Sequence, residues 1–353
     1  MSRPAADAII GCLLGQAVGD MMGLPAENLS PQRVAKLFPS LDRPGFLFGY
    51  GMGSDDTEHM CLTAQSLLRS GGDVERFRRE LRRGLRWWFA AGPPGCGLAT
   101  ARACVRMWLG VREPGVWSAG NGPAMRAAVL GVCPFFEWHA GAACHSTRLT
   151  HADQQAVMAA HIVMYAAALA KRSSGSLLDP DDWLMSAEMG PYWLEKADLF
   201  DNMAAARRDY HARKSVAEFA ADIGLSRGVS GYIAHTVPVA IYAFLRHPDD
   251  YRTAVESVIR LGGDTDTVAA VTGALVGARV GKAGIPPEWL ERWIDWPRSV
   301  AHIEELGRRL AEGKWRTEPQ PPVPLAWWAV PWRNLLFLIV VLGHLVRRCL
   351  PPY

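Results

Sequence analysis

Two short stretches carry most of the chemistry-bearing side chains in this 353-residue chain. The later one reads Ile259-Arg-Leu-Gly-Gly-Asp-Thr-Asp-Thr-Val-Ala-Ala270, in which two carboxylates (Asp264, Asp266) alternate with two hydroxyls (Thr265, Thr267) after a glycine pair. The earlier one, Gly51-Met-Gly-Ser-Asp-Asp-Thr-Glu-His-Met60, has the same grammar in Ser54, Asp55, Asp56 and Thr57. Asp, Ser and Thr are what a helix start selects as caps, so each stretch alone admits a plain capping reading. One residue suffices for a cap, however, and here several oxygen-bearing side chains crowd one turn, as a hard-cation site requires. If the two stretches meet, each pair of carboxylates at ~4 Å repels by ~4 kcal/mol at an effective dielectric of about 20. One or two divalent cations remove that repulsion. An all-oxygen set without Cys or clustered His favours Mg²⁺ or Mn²⁺ over Zn²⁺.

The elements that would position these groups are helices. Met60, Ala64, Leu67 and Leu68 follow the first cluster, and Val268, Val271 and Leu275 follow the second, at the spacing of a buried helical face. Gly262-Gly263 supplies a tight turn into the second helix. Helical periodicity recurs at roughly 8–18, 57–69, 74–89, 98–109, 122–131, 152–170, 193–206, 215–222, 231–246, 249–260, 266–280 and 287–295. Strand signals are scarce and the loops are rich in Gly and Pro, which predicts an all-α domain. In Glu75–Trp88 the apolar stripe is Phe77, Leu81, Leu85 and Trp88, with Arg78, Arg79, Arg82, Arg83 and Arg86 off it. Those arginines read as a solvated face or as an anion-contacting patch.

Composition bounds the rest. With 49% hydrophobic residues the chain can bury one large core or two small ones. A net charge of +3 gives no indication of nucleic acid as a partner. Seven cysteines without CxxC or zinc-like spacing predict reduced thiols in the cytoplasm. The apolar stretch Ala8–Val18 has a weak basic flank and no small-residue cleavage site, so it reads as a buried helix and not as a signal. Its Gly11, Gly15 and Gly19 would allow close packing.

Ser54-Asp-Asp-Thr57 and Gly262-Gly-Asp-Thr-Asp-Thr267 resemble the two metal motifs of the ADP-ribosylglycohydrolase family, of the dinitrogenase-reductase-activating-glycohydrolase type. Three further stretches are similar in the same order: Gly15–Glu27, Gly120-Asn-Gly-Pro-Ala-Met-Arg126 and Gly231-Tyr-Ile-Ala-His-Thr-Val-Pro238. The likeness runs from about residue 8 to about 295 and implies a single large orthogonal helical domain with a binuclear metal cleft. It also implies that Ser54, Asp55, Asp56, Asp264, Asp266 and Thr267 hold two Mg²⁺ or Mn²⁺ ions. Ser54 stands where the family most often has Thr, and it keeps the ligating hydroxyl. Asp55, Asp266 and Glu27, the family's mobile glutamate, are the implied catalytic residues. Gly120, Asn121, Gly122 and Met125 match the family's phosphate loop, whose backbone N–H groups at a helix start suit a pyrophosphate. His151 and Tyr232 are the remaining implied substrate contacts, although Tyr232 suits core burial equally well. His59, His161 and His235 lie among apolar residues and read as structural.

The implied activity is metal-dependent hydrolysis of the N- or O-glycosidic bond between ADP-ribose and an acceptor, on a protein or a small molecule. A non-catalytic ADP-ribose-binding module is one alternative; a hydrolase of small-molecule or nucleic-acid adducts is another. The domain is expected over 1–317, with a proline-rich linker over 318–324 and a hydrophobic tail over 325–353. The uncharged stretch from Asn334 to Val346 is short of the ~20 residues that span a bilayer. Trp327, Trp328 and Trp332 on one flank and Arg347-Arg348 on the other suit an interface. Attachment to the inner face of the membrane through 325–348 is expected, the alternative being a helix docked on the domain. All the motifs precede residue 270, so a chain cut after Pro319 is expected to stay active.

Overall fold

Gly11, Gly15, Gly19 and Gly23 recur every fourth residue, so one face of the first helix has no side chains. A second helix fills that face: a Cβ on Gly11 would lie 2.2 Å from the Gly277 carbonyl oxygen, and one on Gly15 2.2 Å from that of Gly273. Gly19 and Gly23 meet Ala269 and Thr265 in the same way, so the two helices run antiparallel with backbones in contact. That register brings the end of the first helix to the start of the second, where Asp264 and Asp266 lie.

The computed structural model describes residues 5–133, 136–173, 181 and 198–349. Its helices are α1 (Ala5–Gly23), α2 (Pro31–Leu37), α3 (Asp55–Ser70), α4 (Val74–Ala90), α5 (Leu98–Trp108), α6 (Ala128–Val132), α7 (Phe136–Arg148), α8 (Gln154–Arg172), α9 (Asp198–His211), α10 (Val216–Asp222), α11 (Ile233–Arg246), α12 (Tyr251–Ile259), α13 (Thr265–Val280), α14 (Pro287–Leu290), α15 (Val300–Glu312) and α16 (Val330–Cys349). Among the described residues there is no β-strand, only isolated bridges, so the all-α expectation holds. Every residue of α13 is buried, and it packs against α1, α8, α11 and α12 as the axis of a single core. The stripe expected in α4 is buried, while Arg78 and Arg82 bond the carbonyls of residues 107–112 and Arg86 stacks on Trp108.

Several local expectations differ from what is observed. The helix expected over 122–131 breaks into a 3₁₀ turn at Ala124–Arg126 and the five-residue α6. The segment expected over 287–295 stops at Leu290. The start of the segment expected over 193–206 lies outside the described residues, and α9 begins at Asp198. Helices α2, α7 and α15 were not expected.

The tail is not held away from the domain. Gln320 N–H donates to the Leu68 carbonyl, and the Gln65 amide exchanges hydrogen bonds with the backbone of Val323, so the proline-rich stretch lies along α3. α16 then packs back with Val330, Arg333, Asn334 and Phe337 buried, a spacing of i, i+3, i+4, i+7. Its opposite face, with Trp332, Leu335, Leu336, Ile339, Leu342 and Val346, is exposed. Among the described residues two stretches, Ala6–Ala26 and Trp327–Cys349, are long and apolar enough to cross a bilayer. The first is core helix, 94% buried; the second is 28% buried.

Candidate metal centre and substrate cleft

The two oxygen-rich stretches do meet. Ser54 caps α3, its hydroxyl accepting from the Asp56 N–H at 3.2 Å, and Thr267 at the start of α13 donates to Asp56 Oδ2 at 3.1 Å. Asp264 occupies the N-cap position of α13 but makes no capping hydrogen bond. Its Oδ2 instead accepts from Asn121 Nδ2 at 2.6 Å. Capping therefore uses Ser54 and leaves the carboxylates over.

A residue absent from the expected site completes the cluster. Asp20, from the last turns of α1, is fully buried, and its Oδ2 accepts from the N–H groups of Ser54 (2.8 Å) and Thr57 (3.1 Å) and from the Thr57 hydroxyl. One carboxylate oxygen each from Asp20, Asp56 and Asp266 lies within 4.8 Å of the others. Oδ1 of all three is buried without a hydrogen-bond partner. A buried acceptor with no donor is costly, and three together are what a cation would satisfy. The sequence carried a signal for Asp20: a single carboxylate in the middle of an otherwise apolar stretch.

The geometry has a clear electrostatic consequence. Burial, and then the neighbouring carboxylates, push Asp55, Asp56 and Asp266 well above the usual carboxylate range. Burial raises Asp20 to about 6 although Thr57 and Ser54 oppose it. Glu27 is raised by burial and by Asp264, with Arg348 opposing. These are like charges forced together, and the residues present fit hard divalent cations.

Above the cluster is a cleft of about 450 Å³. Of the expected site residues, Glu27, Ser54, Asp55, Asp264, Asp266, Thr267, Gly120, Asn121, Gly122, Met125 and His151 line it, and Asp56 lies just beneath. Glu27 is brought there by the glycine pair. Gly262 and Gly263 adopt φ of 70° and 83°, and Gly263 bonds Asn28 and Leu29 on one side while the next residue, Asp264, donates to the Val229 carbonyl on the other. A Cβ at Gly263 would lie 2.0 Å from the Val229 oxygen, so only glycine serves.

Two expectations on the substrate side change. The Gly120 N–H donates to Ser118 Oγ and the Asn121 N–H to the Gly231 carbonyl, and no long helix starts here. These two amides are therefore not a free anion cradle. Tyr232 does not line the cleft: its hydroxyl bonds Gln155 and Asp198, and its backbone pairs with Gly120 from behind. His151 does line it, with Gly120 and Gly122 packed on its ring. Burial lowers its pKa to about 3, so the imidazole is neutral. Behind His151, the fully buried Arg126 binds Thr150, Ser146 and His59. A larger groove of about 710 Å³ between α3, α4 and the proline-rich stretch holds none of the clustered carboxylates.

Comparison with known proteins agrees with this geometry. The family model described as ADP-ribosylglycohydrolase matches residues 1–320. A protein of Archaeoglobus fulgidus with no assigned function is 31% identical over 85% of this chain and 95% of its own length. The ADP-ribosylarginine hydrolase Tri1 of Pseudomonas putida is 26% identical over 87% of this chain and 78% of its own. The ADP-ribosylhydrolase ARH3 of Gallus gallus is 28% identical over 82% and 89%. A solved structure titled ADP-ribosylglycohydrolase-related protein complex superposes with a TM-score of 0.60 at 26% identity, covering 88% of this chain and 99% of that one.

Proposed function

The chain belongs to the ADP-ribosylglycohydrolase family, and on that premise we propose that it hydrolyses the bond between ADP-ribose and an acceptor with the help of two Mg²⁺ or Mn²⁺ ions. The observation that carries the proposal is the set of unpartnered buried oxygens on Asp20, Asp56 and Asp266 at the floor of the cleft. Ser54, Asp55, Asp56, Asp264, Asp266 and Thr267 would hold the ions, with Asp20 joining from below. Hard divalent ions bound there supply Lewis acidity and a grip on vicinal hydroxyls such as those of a ribose.

The chain's own residues do the rest. Glu27, beside Asp264 at the cleft wall, accepts the proton of the attacking water. The water oxygen bonds to C1 of the ribose as the C1–acceptor bond breaks, in an oxocarbenium-like displacement, and the proton taken up by Glu27 passes to the departing acceptor atom. Burial and the Asp264 carboxylate raise the proton affinity of Glu27, the direction a general base needs. Asn121, tied to Asp264, and Met125, Gly122 and the neutral His151 form the wall along which the diphosphate and nucleoside would lie.

The test is incubation of purified protein and Mn²⁺ or Mg²⁺ with arginine- and serine-linked ADP-ribosyl peptides, reading free ADP-ribose. Release from at least one linkage is expected. Tight ADP-ribose binding without release from any adduct would show a non-catalytic module instead.

We also infer that the outer face of α16 rests on the inner surface of a membrane. The exposed face from Trp332 to Val346 supports this, as do Trp327 and Trp328 at the same end. Arg348 does not serve as the basic flank, since it turns inward to the Pro25 carbonyl.

A further inference from the structure

The inner face of α16, beyond the region that the family model matches, touches every loop that carries the first half of the site. At its start Arg333 is 6% exposed. It donates to Asp295 at 2.9 and 2.6 Å, pairs with Glu58 at 3.1 Å, and donates to the Gly53 carbonyl. Asp295 in turn accepts from the Gly53 N–H at 3.2 Å, so one ion pair grips both backbone groups of the residue before Ser54. At mid-helix Phe337 joins Leu24, Phe46 and Met52 in a small apolar cluster of its own. At its end Arg348 donates to the Pro25 carbonyl at 2.8 Å, two residues before Glu27. Phe337 and Val341 themselves form part of the cleft wall.

We propose that α16 is a positioning strap of the active site. It fixes the Glu27 loop against the Ser54–Asp56 loop, and Arg333 is the residue through which it sets the first metal motif. Glu58 and Asp295 are two buried carboxylates faced by Arg298 and Arg333. The foursome is neutral only with α16 in place. Withdrawing Arg333 frees the Gly53 carbonyl and leaves Asp295, the acceptor of the Gly53 N–H, a buried carboxylate short of its partner. The oxygens of Ser54 and Asp56 then lose their fixed separation from those of α13. Phe337 and Val341 set the apolar side of the opening through which an acceptor must pass, on the Glu27 side of the cleft.

This rests on the metal-site reading above, and its test separates the two. Mn²⁺ is titrated calorimetrically into full-length wild type, Arg333→Met, Arg333→Lys and Ile339→Gln, with melting curves as the fold check. Backbone hydrogen exchange of residues 24–29 and 51–56 is read on the same proteins. Arg333→Met is expected to weaken Mn²⁺ binding about tenfold and to speed exchange in 51–56. Arg333→Lys should recover part of both, and Ile339→Gln on the outer face should change neither. Should Arg333→Met fail to fold, Phe337→Ala keeps every charge of the ion pair, losing only the ring that stacks on Arg333, and is expected to speed exchange in both loops. It should also raise KM for an ADP-ribosylated peptide several-fold with little change in Mn²⁺ affinity. Wild-type exchange and Mn²⁺ affinity in Arg333→Met, or wild-type exchange in both loops of Phe337→Ala, would overturn the strap. Faster exchange in a protein that binds no Mn²⁺ even as wild type would uphold the strap and overturn the metal site.

Discussion

At the scale of single residues, the site is defined by carboxylates that the fold holds closer than they would choose. Asp266 is buried with Asp56, Asp264 and Glu27 as neighbours, and its pKa is raised well above the usual range. In chelator-treated protein Asp266→Asn should therefore be more stable than wild type, by about 1–3 kcal/mol at neutral pH. The sign in pH follows from linkage. Because its folded pKa is raised, Asp266 binds its proton more tightly folded than unfolded, so its contribution to stability falls as pH rises above about 4. Melting curves in EDTA at about pH 5 and about pH 8 should show the advantage of Asp266→Asn growing with pH. A constant difference would mean that the carboxylate is relaxed. Glu27→Gln should spare Mn²⁺ affinity more than it spares turnover, and equal losses of both would remove Glu27 from proton handling. The acidic stretches were legible because several oxygens in one turn exceed what a cap needs. Asp20 was overlooked because a lone carboxylate in an apolar helix announces burial but not its partners.

Helices either announce themselves or hide according to the size of their buried side chains. α3, α4 and α13 have Leu, Val and aromatic residues at helical spacing, and their existence was readable. α2 buries only Val34, and the described side chains that α7 buries are small ones such as Ala142 and Ala143, so neither shows a strong apolar stripe there. In α15 the stripe is narrow, Ile303, Leu306 and Leu310 with Gly307 between. The crossing of α1 on α13 was partly visible in Gly11, Gly15 and Gly19, but its partner glycines could not be named from spacing alone. That crossing sets the separation of Asp20 from Asp266. Gly15→Ala, whose Cβ would meet the Gly273 oxygen at 2.2 Å, should cost about 1–3 kcal/mol and weaken Mn²⁺ binding in step. Denaturant melts and Mn²⁺ titration check both. A stable variant with wild-type affinity would show that the helices can part without consequence.

The whole molecule is a core around α13, closed on one side by α16. The prolines of 318–324 mark a stretch outside the helices, but composition does not say what such a stretch lies against. Nor does a single Arg333 in an apolar run reveal that its partners, Glu58 and Asp295, wait elsewhere in the chain. The expectation that a chain cut after Pro319 stays active accordingly reverses. Removing α16 breaks a buried ion pair, at a cost of about 3–5 kcal/mol, and uncovers Leu24, Phe46 and Met52. The truncated protein should melt lower and hydrolyse poorly; wild-type melting and rate would contradict the docking described here. Membrane contact involves the other face of the same helix. Full-length protein should sediment with anionic vesicles, and Trp332→Gln with Ile339→Gln should abolish that without altering the melting temperature. Sedimentation unchanged in the double variant would place the contact elsewhere.

The central claim is that the cleft is a divalent-cation-dependent ADP-ribosyl hydrolase site. It is tested most directly by measuring free ADP-ribose released by chelated wild type and chelated Asp266→Asn on adding back Mg²⁺, Mn²⁺ or Zn²⁺. The expected result is no release after chelation, recovery of wild type with Mg²⁺ or Mn²⁺ more than with Zn²⁺, and no recovery of Asp266→Asn with any ion. Full activity in exhaustively chelated wild type, or wild-type turnover by Asp266→Asn, would contradict it.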